Sequence, residues 1–116
     1  MEKVIVINAR FAALHCWPEC PFEEVGFLKH PHRHEFHVTV KWVVLHNDRD
    51  KEFIMMKNWL TDFTRYHFAN KDLGRMSCED IADKIYQATL REDAPSGCCF
   101  VSVFEDGENG VEVMYD

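Results

Sequence analysis

Odd positions at the start of the chain read Ile5, Ile7, Ala9, Phe11, Ala13 and His15, an alternation that predicts a strand over 4–15 with one buried face. A second alternation, Phe36, Val38, Val40, Trp42 and Val44, predicts a strand over 32–44; its opposite face carries Arg33, Glu35, His37, Thr39 and Lys41. Two prolines break the period between them, so 16–31 reads as a long loop. Around 46–50 the chain has the composition of a turn or helix-capping region. Apolar spacings then change to three and four through Phe53, Met56, Leu60, Phe63 and His67, the stripe of an amphipathic helix. Ser77 and Asp80 form a capping box for a second helix that buries Ile81, Ile85 and Ala88. Residues 98–105 and 111–115 read as strands joined by the Asp106-Gly107 and Asn109-Gly110 turn signals. The order strand, strand, helix, helix, strand, strand predicts an α+β domain over 1–116, with both helices on one face of a four-stranded antiparallel sheet.

At 116 residues the chain can bury about two thirds of its unfolded surface without covalent staples. Its net charge of −7 supplies no broad attraction for nucleic acid or an anionic membrane. The start lacks a signal-peptide pattern and no apolar run is long enough to span a bilayer. Five cysteines, an odd number, do not make a disulfide ladder. Together these features predict a soluble cytoplasmic protein.

The histidines change the picture most. His32 and His34 stand two apart and share a strand face, while His15 ends the preceding strand. If the two strands pair around the loop, three imidazoles meet at one edge of the sheet. Three charged imidazoles buried together cost several kcal/mol, whereas neutral rings around one divalent ion turn that cost into coordination. Three histidines with an open fourth position suit catalytic Zn2+; Cys16 or Cys20 as a fourth ligand would instead make a structural site.

Phe11-Ala12-Ala13-Leu14-His15, His32-Arg33-His34-Glu35-Phe36, Ser77-Cys78-Glu79-Asp80-Ile81-Ala82 and Val101-Ser102-Val103-Phe104-Glu105-Asp106, in this order, resemble the 6-pyruvoyl-tetrahydropterin synthase and 6-carboxytetrahydropterin synthase family. The resemblance implies a tunnelling fold that forms homo-oligomers, trimers or hexamers, whose sheets join into a barrel. It implies zinc held by His15, His32 and His34, and a pterin or purine-like ring held by Glu105. Two parallel hydrogen bonds from the ring's N–H edge to one carboxylate give such recognition its selectivity. The implied activity is that of a lyase on a reduced pterin triphosphate, of the 6-carboxytetrahydropterin type that serves 7-deazaguanine biosynthesis.

The chain departs from that family's pattern in places that matter to chemistry. Leu28 stands where the family's catalytic cysteine lies, four residues before His32, and an isobutyl group moves no proton. The family's Asp-His pair finds only His67, with Tyr66 before it. Cys20, Cys16 or Glu24 on the loop, and His67, are therefore the candidates for proton transfer. Arg33 replaces the usual glycine between the paired histidines and is a candidate to hold a ligand's phosphate or carboxylate. An alternative class is a catalytically silent zinc protein that captures a purine-like or pterin ligand.

Overall fold

A computed structural model describes residues 2–116. Strand β1 (Lys3–His15) pairs antiparallel with β2 (His32–Val44), β2 with β3 (Cys98–Glu105), and β3 with β4 (Asn109–Met114), giving an open four-stranded sheet in the order β1-β2-β3-β4. Helices α1 (Phe53–His67) and α2 (Cys78–Thr89) fill the crossover between β2 and β3. Both lie on the sheet face that carries Ile7, Ala9, Phe11, Phe36, Val38, Val40, Trp42, Val101 and Val103. Met56 and Leu60 from α1, and Ile81, Ala82 and Ile85 from α2, close that core. The α+β class and the antiparallel sheet follow the alternation in the sequence.

Several local expectations change. The loop after β1 contains a 3-10 helix, Glu23–Lys29, kinked at Val25. Helix α1 is capped by Glu52, whose side chain accepts from the Ile54 and Met55 amides, rather than by the 46–50 turn. Phe53 is 62% exposed, so the buried stripe starts one turn later and takes in Thr64, whose hydroxyl donates to the Leu60 carbonyl. The β2–β3 register slips between Lys41 and Trp42, leaving Cys99 without a Cα partner. All five cysteines are free.

Helix α2 starts as the sequence predicts. The Ser77 hydroxyl accepts from the Asp80 amide and the Asp80 carboxylate accepts from the Ser77 amide, both at 3.1 Å. Ser77→Ala is expected to cost about 1 kcal/mol, the usual worth of an N-cap, read as a lower urea midpoint with unchanged slope.

The connector between the helices fixes the end of β1. Leu14 exchanges backbone hydrogen bonds with Lys71 and Leu73, and the Cys16 amide donates to Gly74 at 2.7 Å. Gly74 turns there with φ 63. His15 is thus held between β2 on one side and the 71–76 segment on the other. Among the described residues, no helix is long and apolar enough to cross a membrane.

Candidate metal centre

Pairing of β1 with β2 sets His15 directly opposite His32, and Ala13 opposite His34. Facing residues in an antiparallel ladder project to the same side. The three imidazoles therefore cluster, with ring centroids 4.6 Å apart for His15–His32, 5.0 Å for His32–His34 and 5.4 Å for His15–His34. Glu105 lies opposite Phe36 on the same face, so its carboxylate joins them. One ligand atom from each of His15, His32, His34 and Glu105 lies within 4.8 Å of the others.

Each ring is oriented by its other nitrogen. His15 Nδ1 lies 2.9 Å from the Met76 carbonyl, His32 Nδ1 2.9 Å from the His30 carbonyl, and His34 Nδ1 2.7 Å from an Asp106 carboxylate oxygen. All three partners accept, so we assign a ring proton to Nδ1 in every case, and in the neutral ring each Nε2 offers a lone pair. Carbonyl and carboxylate partners of this kind fix the tautomer of metal-bound histidines and raise their basicity.

His15 Nε2 is buried and makes no hydrogen bond, although Glu105 Oε2 stands 2.9 Å away. In the neutral ring with its proton on Nδ1 this is an acceptor facing an acceptor, a contact that a second ring proton or a metal ion between the two atoms relieves. The four residues fit a metal ion on this ground. Ligand atoms around a four-coordinate zinc stand about 3.3 Å apart, so on loading the widest pair closes by no more than about 1.5 Å.

Asp106 supports the cluster from behind. It turns the chain with φ 56, accepts from the Glu35 amide at 3.0 Å and holds His34. The Glu35 amide first, and His34 second, hold its carboxyl below the usual carboxylate range. A depressed folded value gives stability that is present above the unfolded pKa of about 3.9 and is lost as pH falls through the lowered one. Asp106→Asn keeps the shape and tolerates the left-handed backbone. The metal-free variant is expected to melt below wild type above about pH 4, with a margin that narrows as the pH falls below that. Thermal melts across that range check it, and a margin that widens as the pH falls below about 4 would contradict the assignment.

A groove of ≈ 690 Å³ opens beside the cluster, bounded by His15, Cys16, Leu28, His32, Cys78 and Glu105 among others. Leu28 thus sits at the site, as its place in the sequence implied. Cys78, which sequence reasoning passed over as part of a helix start, also lines the groove. Burial, then the nearby charges of Glu105 and Glu79, push its thiol up to about 12, so it is a neutral thiol near pH 7.

Other candidates lie elsewhere. Arg33 faces Leu14 across the ladder and is exposed on the opposite side of the sheet from the histidines. Cys20 is buried in its own loop, with its sulfur 3.7 Å from the Phe22 and Val25 carbonyls. His67 packs on Phe63 at 4.3 Å and lines a separate cavity between the helices, with Arg75, Lys84 and Arg91. Burial, then the charges of Arg91, Lys71 and Lys84, hold its imidazole below the ordinary value. His37 bonds Glu35 on the polar face. Of the nine residues singled out as site candidates, the cluster unites His15, His32, His34 and Glu105. No protein-family model matches the chain, and no curated protein matches it.

Proposed function

We propose that the chain is a zinc-dependent, pterin-synthase-like protein acting on a reduced pterin triphosphate or a related guanine-derived ring. The reading rests on one observation: three imidazoles whose Nδ1 atoms are each engaged by an acceptor and whose Nε2 atoms converge beside Glu105. His15, His32 and His34 would hold the ion, and Glu105 would take the N–H edge of the ring. Zinc bound there supplies a Lewis acid that polarises side-chain oxygens of the substrate. All-nitrogen and carboxylate donors suit zinc, and Cys16 remains beside the groove. The strand order agrees with the tunnelling fold implied by the sequence motifs. A homo-oligomeric barrel and a role in 7-deazaguanine biosynthesis in the cytoplasm belong to this same proposal.

Incubating zinc-loaded protein with dihydroneopterin triphosphate tests it. Release of triphosphate is expected, and none at full zinc occupancy would overturn the enzymatic reading.

A second reading, a binding protein that captures the ring without turning it over, is favoured by Leu28 at the groove and by His67 in a different cavity. Neither supplies a proton carrier beside the cluster. Recovery of a chemically unchanged pterin or purine from the purified protein would support it.

A further inference from the structure

We propose that Glu105 is a fourth, exchangeable metal ligand, so that the ion and a guanine-like ring compete for a single carboxylate. This deepens the reading above and rests on it for both the ion and the ring. Glu105 Oε2 lies 2.9 Å from His15 Nε2 and 3.7 Å from His34 Nε2. In neutral rings with the proton on Nδ1 both nitrogens are lone-pair donors, and the carboxylate oxygen completes with them and His32 a set of four ligand atoms within 4.8 Å of one another. A set closed by four protein donors leaves no open position for a substrate oxygen.

The same residue has a second place to go. Its backbone is pinned, opposite Phe36 on β2 and Asn109 on β4, and its carbonyl accepts from the Glu108 amide at 3.0 Å. The following Asp106 amide is tied to the Glu35 carbonyl at 2.7 Å. Only the side-chain torsions are left to move, and the side chain borders the groove with 30% of its surface exposed. Taking a ring's N–H edge uses both carboxylate oxygens side by side. A carboxylate with one oxygen on the ion cannot present both. Ring capture therefore draws Glu105 off the ion and opens the fourth position in the same movement, so a bare protein rests closed and the ring itself uncovers the Lewis acid.

Cobalt(II) and zinc titrations of wild type and Glu105→Gln, with visible spectra of the cobalt forms, test the ligand. Glu105→Gln is expected to bind at least about tenfold more weakly, with a shifted visible band. Equal affinity and an unchanged band would overturn the inference while leaving the three-histidine site intact. No metal uptake by wild type would instead overturn the metal reading and this inference with it. A titration of unmodified protein with pterin, followed by its fluorescence, needs no variant. Pterin is expected to bind metal-free protein more tightly than loaded protein, to shift the cobalt band, and to weaken metal affinity by the same factor. Equal affinity for the two forms, or none for either, overturns the competition.

Discussion

Replacing His15 with alanine is expected to strip the protein of its metal: an affinity loss larger than the about 10–100-fold that removing a supporting partner such as Asp106 causes. His15 is the most deeply buried of the three rings, 8% exposed, and its Nε2 is the orphaned atom of the cluster. It is also the nearest nitrogen to Glu105. Its removal leaves two imidazoles, His32 and His34 from one strand, and the exchangeable Glu105 carboxylate. The replacement should fold, because the backbone of 14–16 stays bonded to the 71–74 connector. Zinc content after dialysis against a weak chelator, with circular dichroism as the fold control, measures the effect. Retention of stoichiometric zinc by the His15 variant would place the ion elsewhere.

The largest stability effect is expected from Phe36→Ala. Phe36 is fully buried, stacks on Phe11 at 5.2 Å, and meets the edges of His15 at 5.2 Å and His34 at 5.9 Å. Truncating a buried phenylalanine costs about 3–5 kcal/mol in lost transfer energy and cavity, a large share of the about 5–15 kcal/mol that holds a domain together. Leu60→Ala, an equally buried position on α1, is expected to cost about 2–5 kcal/mol. The two should differ at the site: Phe36 is the floor of the histidine cluster, so its loss also weakens metal binding, whereas Leu60 belongs neither to the cluster nor to the lining of its groove. Urea unfolding of both variants with parallel zinc titrations separates packing from support. Equal zinc affinity in the two would show that the floor plays no part in holding the rings.

The framework was legible because strand alternation and helix capping are local codes. His15 and His32 could be placed on shared faces from parity alone, and Ser77 with Asp80 marked the start of α2 to the residue. What the sequence could not show was what pins the rings. Two of the three Nδ1 partners, the carbonyls of His30 and Met76, are backbone atoms that every residue type carries. The third, Asp106, reads as an ordinary turn aspartate until the β2–β3 pairing brings it to His34. Glu105 was expected to serve a ring alone, and only the register with Phe36 reveals its approach to His15. Cys78 was missed because helix-start composition says nothing about which cavity a first-turn side chain borders. Glu52 took the cap from the 46–50 turn for a similar reason: its side chain reaches forward to the amides of Ile54 and Met55, and the polar residues before it close a separate turn. Arg33 obeyed the same parity that placed its neighbours, which sends it to the far side of the sheet.

The scattering of the cluster along the chain has a consequence for folding. Its four donors come from β1, β2 and β3, and both helices lie along the chain between the second and third of these strands. An unfolded chain offers isolated imidazoles but never this convergence, so an ion that binds the finished sheet binds almost nothing else. By mass action, free metal at roughly a hundred times its dissociation constant adds about 2.7 kcal/mol to the native state. Chelators should therefore lower the melting temperature in proportion to the logarithm of the free metal they remove, and metal supply would set how long a newly made chain stays folded.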